Sequence, residues 1–106
     1  MEQPEFVRLV LEAYCATPGT AGVSRRADRL FAAQLYERGV PVNVVENALI
    51  LAAARRSARP ADAPPLSTIR SMAYFGPVIE EVLQLKVGPE YFQHLRNKLH
   101  RTTPAR

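Results

Sequence analysis

Residues 30–54 read LFAAQLYERGVPVNVVENALILAAA, which is the clearest structural signal in the chain. Their apolar side chains recur every three or four positions, the spacing of helices that bury one face. Gly39 suits the left-handed position that closes a helix, and Pro41 suits the start of the next one. The stretch therefore predicts two consecutive helices joined by a tight turn.

Helical periodicity continues on both sides of this stretch, and proline and glycine mark the breaks. Ser24 is the expected N-cap of the helix that contains Leu30, and Ser67 is the expected N-cap of a later helix. Gly76-Pro77 either kinks that later helix or starts a new one. The predicted helices span residues 4–16, 25–38, 42–57, 67–75, 77–86 and 90–100.

These helices predict an all-α fold, a compact bundle of five to six short helices in a single domain. We expect the domain to cover residues 1–101 and residues 102–106 to form a frayed tail. The residues expected to face the core are Phe6, Val10, Ala13 and Tyr14 in the first helix, Ala27, Leu30, Phe31, Gln34 and Leu35 in the second, and Phe75, Ile79 and Val82 further on.

The composition is that of a soluble globular protein. The chain has 106 residues, of which 47% are hydrophobic and 23% charged, enough for one core. Cys15 is the single cysteine, so no disulfide framework is available and a reducing compartment is expected. The longest apolar run is far shorter than a membrane span, and no signal peptide is evident. We expect a cytoplasmic protein.

Motifs that carry catalysis or bind metal are missing from the sequence. His94 and His100 are six residues apart, so they do not share a helical face, and Cys15 is remote from both. Glu80 and Glu81 are adjacent, and neighbours on a helix point in different directions. We therefore expect no enzymatic activity, no metal and no cofactor.

Positive charge is the main functional signal. The formal net charge is +4, and eight arginines lie between Arg25 and Arg70 against four acids. Such an excess favours a polyanionic partner. The clusters are Arg25, Arg26 and Arg29 at the start of the second helix, Arg55, Arg56 and Arg59 at the end of the third, and Arg70 among hydroxyl residues.

Each cluster also has a purely structural interpretation. Cations at the start of a helix oppose its dipole, which an external phosphate would relieve, whereas cations at the end of a helix are stabilised and can cap its last carbonyls. Tyr74 follows Arg70 by one turn. It either stacks on a base at the rim of the domain or lies half-buried with its hydroxyl hydrogen-bonded.

The middle of the chain carries an ordered set of motifs. They are Leu35-Tyr36-x-x-Gly39, Val44-Val45-x-x-Ala48-Leu49 with Ala52, and Ile69-x-Ser71-x-x-Tyr74 with Val78 and Val82. This order resembles the C-terminal helical domain of DnaD-type replication proteins, which load helicases and bind single-stranded DNA. The resemblance implies that Tyr74, Val78 and Val82 stand where that family has a tyrosine, an isoleucine and a tryptophan.

The Arg-Ser-x-x-Tyr-Phe wording at residues 70–75 also resembles small accessory proteins encoded beside bacterial replication or transposition genes. We therefore expect a non-catalytic DNA-binding accessory module of replication or mobile elements, acting on single- or double-stranded DNA through its arginines. The alternative is a protein-interaction or homodimerisation domain without nucleic-acid binding, because the apolar surface is large for so small a core.

Overall fold

The computed structural model describes residues 1–84 and 89–102 of the chain, and for residues 89–91 and 100–102 only the backbone. In this described part the fold is all-α, as the sequence predicts. A short 3₁₀ helix precedes the fourth α-helix directly. The elements are α1 (Gln3–Ala16), α2 (Arg26–Glu37), α3 (Val42–Ser57), the 3₁₀ helix (Met72–Phe75), α4 (Gly76–Gln84) and α5 (Pro89–Thr102).

Helix α3 is the centre of the bundle. It contacts α1 on one side and α4, α5 and the 3₁₀ helix on the others, and α2 packs on α1. Alanine dominates its second half, so neighbouring helices can approach closely. Ala48, Ala52 and Ala53 are all buried. The radius of gyration is 13.8 Å, the value of a compact chain of this length.

The apolar faces predicted for α1 and for the segment after Phe75 are confirmed. Phe6, Val10 and Tyr14 are buried with Ala13 packed beside them, and Phe75, Ile79 and Val82 are buried as well. On α5, Phe92 and Leu95 belong to the same core. The sequence predicts a packing stripe on this helix that consists of Tyr91, Phe92, Leu95 and Leu99, and the side chain of Tyr91 lies outside the described residues.

The face predicted for α2 is wrong by about one residue of rotation. Leu35 is buried as predicted and Phe31 is partly buried, but Ala27, Leu30 and Gln34 are exposed. The other buried residues of α2 are Asp28 and Ala32. The rotation follows from Asp28, whose carboxylate turns inward to accept two backbone hydrogen bonds. Ser24 is not the N-cap, because α2 begins one residue later with Arg25 in that position.

The turn between α2 and α3 is confirmed in detail. Gly39 has a φ of +78°, the left-handed conformation that glycine adopts without strain. The Gly39 N–H donates to the Tyr36 carbonyl and the Val40 N–H donates to the Leu35 carbonyl. These two bonds, with Leu35 and Val40 both buried, make a Schellman motif that ends α2 and directs the chain into α3.

The helix predicted for residues 67–75 is wrong over most of its length. Ile69 is tied to the loop after α1, because its N–H donates to the Gly19 carbonyl and its own carbonyl accepts from the Ala21 N–H. These bonds form an isolated parallel bridge between Thr20 and Ile69, which holds the backbone out of the helical conformation. Ser71, not Ser67, is the cap: its hydroxyl accepts the Ala73 N–H.

The remaining boundaries agree with the sequence to within two residues where they are described. Helix α4 starts at Gly76 and follows the 3₁₀ helix without a gap. The predicted end of α4 at residue 86 falls outside the described residues, as does the tail at 103–106, while residue 102 is still helical. Among the helices described, none combines the length and apolarity required to cross a bilayer.

Candidate nucleic-acid interface

The proline loop, residues 58–71, folds back onto the end of α3. The Arg59 guanidinium donates to the Pro64 carbonyl at 2.7 Å, and the Arg56 guanidinium donates to the Ser67 carbonyl at 3.0 Å. The Thr20–Ile69 bridge holds the far end of the loop. The loop therefore carries Arg70 and Tyr74 back beside the arginines of α3, from which they are more than a dozen residues away along the chain.

Two adjoining depressions result, with Tyr74 between them, and we call them together the arginine groove. The smaller depression has a volume of about 320 Å³ and the larger about 650 Å³. Arg56, Leu66 and Tyr74 line both of them. The further lining residues are Ala52, Arg55, Arg59 and Val78 in the smaller depression, and Ser67, Thr68, Ile69, Arg70, Ser71 and Ala73 in the larger one.

Tyr74 is 48% exposed and stands at the rim, while its neighbour Phe75 is in the core. The two rings meet edge to face, with centroids 5.1 Å apart, so Tyr74 rests on a fixed aromatic support. Its hydroxyl accepts a hydrogen bond from Arg56 at 3.3 Å. The interpretation of Tyr74 as half-buried with a bonded hydroxyl is therefore confirmed, and part of the ring is open to solvent at the rim. Stacking on a base stays a prediction.

Arg56 holds the groove together. Its guanidinium bonds Ser67 and Tyr74, and its Cζ lies 5.9 Å from the centre of the Tyr74 ring, within cation–π range. Gly19 approaches it from the other side, where a Cβ would be only 3.0 Å from the Arg56 Nε. All these partners are neutral, so Arg56 keeps its full positive charge while it fixes the shape of the site.

Two arginines, Arg55 in the groove and Arg38 outside it, have their charge balanced by acids of α4. Arg55 forms a two-pronged ion pair with Glu81, one prong being an Nη1–Oε1 bond of 3.1 Å, and Arg38 pairs with Glu80 at 2.6 Å. The Arg55 hydrogen bond lowers the pKa of Glu81 below the ordinary glutamate value. Glu81 is therefore ionised at neutral pH, and Arg55 contributes less net charge to the groove than the sequence indicates.

Arg59 and Arg70 supply uncompensated charge. Arg59 donates to a carbonyl, which is neutral. Arg70 is exposed in the larger depression and forms no ion pair with any described residue. With Arg56 they make three cations around one half-exposed tyrosine. None of the three arginines caps a carbonyl at the end of α3. The Ser57 hydroxyl and the Ala58 N–H donate to the Ala54 carbonyl there.

The cluster at the start of α2 is separate from the groove. Arg25, Arg26 and Arg29 are exposed, and none of them lines either depression. Asp28 places a negative charge in the same helical turn, which offsets the unfavourable interaction of these cations with the helix dipole. The structure thus brings together four of the predicted arginines and Tyr74, and leaves these three outside.

Asp28 is the residue that the sequence interpretation missed. It is 2% exposed, and its two carboxylate oxygens accept the Arg25 N–H and the Met72 N–H, both at 2.8 Å. The Arg25 guanidinium carries only N–H donors, so it cannot accept the Asp28 N–H in return. The Asp28 carboxylate therefore caps the Arg25 N–H without a reciprocal side-chain bond. Arg25 and Asp28 have the spacing of a capping box but not its residue types, which are Ser or Thr followed by Glu or Gln, so the sequence offered no clear signal for this contact.

A second concavity, the apolar groove, lies between α1, α3 and α5. Its volume is about 700 Å³, and its walls are mostly apolar, with Leu49, Ile50 and Leu99 among them. Glu46 and Arg96 bring opposite charges to the same groove. Among the side chains that the structure describes, residues 1–84 and 92–99, no three histidine, cysteine or acidic groups come together in a way that would hold a metal ion.

The fold and its two grooves define the class of this protein, a small all-α domain with an arginine-lined and an apolar concavity. Comparisons with protein-family models, with curated proteins and with solved structures gave no match.

Proposed function

We propose that this protein is a non-catalytic DNA-binding accessory module of bacterial replication or mobile-element processing, acting in the cytoplasm. The observation that carries the proposal is the convergence of Arg56, Arg59 and Arg70 around Tyr74, three cations without acidic partners beside a partly open aromatic ring. The resemblance to DnaD-type domains points to the same process, and two of the residues that carry it, Tyr74 and Val78, line this groove.

The chemistry of the groove suits a phosphate backbone. Guanidinium groups bind phosphate oxygens through paired N–H donors, and Ser67, Thr68 and Ser71 are hydroxyl residues that line the larger depression. A base can stack on the open part of Tyr74, a contact that tolerates any base. Contacts of these kinds bind DNA with little sequence preference, and they catalyse no reaction.

The experiment is a titration of fluorescent single- and double-stranded oligonucleotides at low salt. Arg59→Ala with Arg70→Ala is expected to weaken binding at least tenfold, about 1.4 kcal/mol, because two charged contacts are lost. The control is Arg8→Ala with Arg38→Ala, which removes the same net charge from two exposed sites outside the groove. Equal weakening by both pairs would mean that only net charge matters, and no binding by the wild type would refute the proposal.

A second candidate function is homodimerisation, and the apolar groove favours it. Because Glu46 and Arg96 both line this groove, a two-fold axis would pair Glu46 of one copy with Arg96 of the other. Light scattering across a range of concentrations would show a dimer. Glu46→Arg is expected to give a monomer, and Glu46→Arg combined with Arg96→Glu is expected to restore the dimer. A monomer at all concentrations would exclude this function.

A further inference from the structure

Asp28 lies outside the arginine groove, yet it holds the chain that forms one wall of that groove. Its Oδ1 accepts the Met72 N–H, and Met72 is the first residue of the 3₁₀ helix that carries Tyr74. Its Oδ2 accepts the Arg25 N–H at the start of α2. One buried carboxylate therefore joins the first turn of α2 to the segment that presents the aromatic ring.

The other end of this segment is held independently. Ile69 is bonded to Gly19 and Ala21 through its own N–H and carbonyl. Arg70 and Ser71 are thus the only residues between two fixed points, Ile69 on one side and Met72 on the other. Such a short span leaves the backbone of Arg70 little freedom, although its side chain is exposed.

We propose that Asp28 is a positioning residue of the arginine groove, which orders Arg70 and Tyr74 before a polyanion binds. The inference rests on the proposed function, since it concerns how that same site is organised. A site that is ordered in advance binds more tightly, because less conformational entropy is lost on binding. The carboxylate contacts no ligand itself and acts through the two residues it places.

The test combines Asp28→Asn with changes to the residues that it positions. Asparagine has the same shape, but its amide offers one acceptor oxygen where the carboxylate has two, so one of the two backbone donors loses its partner. Gly39→Ala is the control, because it strains the other end of α2 and leaves the groove untouched. Oligonucleotide affinity is measured for each variant in the wild-type background and in the Arg70→Ala/Tyr74→Ala background.

We expect Asp28→Asn to weaken binding about tenfold in the wild-type background and to have little effect once Arg70 and Tyr74 are removed. Equal weakening in both backgrounds, or equal weakening by Gly39→Ala, would show a general loss of stability and overturn the inference. A wild type that binds no oligonucleotide would refute the proposed function, and the inference with it.

Hydrogen exchange supplies a readout that does not depend on ligand. The Met72 amide is expected to be protected from exchange, as is the bonded Ile69 amide of the proline loop, and to lose this protection in Asp28→Asn while keeping it in Gly39→Ala. If Asp28→Asn does not fold, the wild-type measurement still decides. Rapid exchange at Met72 would show that the carboxylate does not hold the segment, and would overturn the inference.

Discussion

At the scale of single residues, Tyr14 places an unsatisfied polar atom in the core. It is fully buried, it packs edge to face on Phe75, and its hydroxyl has no hydrogen-bond partner among the described residues. Burial raises the pKa of this hydroxyl, and the nearby charge of Asp28 adds to the effect. The phenol is therefore neutral at any ordinary pH, and burying its hydroxyl without a hydrogen bond destabilises the fold.

Replacing Tyr14 with phenylalanine should consequently stabilise the protein. Removing a buried hydroxyl without a partner is expected to raise the free energy of unfolding by about 1 kcal/mol, measured by urea denaturation. Tyr36→Phe is the control, since the Tyr36 hydroxyl donates to the Met1 carbonyl at the surface and its loss should change little. A clear loss of stability in Tyr14→Phe would mean that the hydroxyl is satisfied in solution.

Glu81 offers a test of the Arg55 ion pair by pH. Because the pKa of Glu81 is lowered in the folded protein, the pair stabilises the fold above the ordinary carboxyl pKa, and this contribution is lost as pH falls through the lowered value. An NMR titration of the side-chain carboxyl should show Glu81 titrating at lower pH in the wild type than in Arg55→Ala. Identical titration curves would contradict the pair.

At the scale of elements, the groove depends on a contact between two loops. Gly19 and the proline loop meet at Arg56, and Gly19 has a φ of +93°. Glycine is needed there for two reasons, the left-handed backbone and the space that the guanidinium occupies. Gly39 has the first requirement alone, since nothing lies within 4 Å of the Cβ it would gain.

The two glycines therefore form a matched pair. Gly39→Ala should cost about 1 kcal/mol of stability from backbone strain, and Gly19→Ala about 1 kcal/mol more, because Arg56 must shift and its bonds to Ser67 and Tyr74 weaken. Thermal or urea unfolding gives both values. The account of Arg56 as the residue that holds the groove together would fail if the two substitutions cost the same.

The elements also show what local sequence can predict. Helix α1 has one apolar face, α3 is apolar nearly all round, and both have clear proline or glycine boundaries, so their limits could be predicted closely. Helix α2 could not be oriented from hydrophobicity, because its inward face includes the charged Asp28. The extended conformation at Ile69 depends on hydrogen bonds to Gly19 and Ala21, about fifty residues earlier, and no local pattern reveals them.

At the scale of the whole molecule, only some of the arginines contribute uncompensated positive charge. Arg55 in the groove and Arg38 outside it are balanced by Glu81 and Glu80 of α4, while Arg56, Arg59 and Arg70 have no acidic partner in the described structure. The sequence predicted the candidate arginines, but it could not tell the paired from the unpaired, since pairing depends on how α4 packs against α3.

The central claim is that these three arginines form one electrostatic site for a polyanion. The most direct test is the salt dependence of single-stranded oligonucleotide binding. Three phosphate contacts predict that a plot of the logarithm of the binding constant against the logarithm of the salt concentration has a slope of about −2. The double variant Arg59→Ala with Arg70→Ala should make this slope shallower, about −0.7. A slope that the double variant leaves unchanged, or a wild type that does not bind at low salt, would contradict the account.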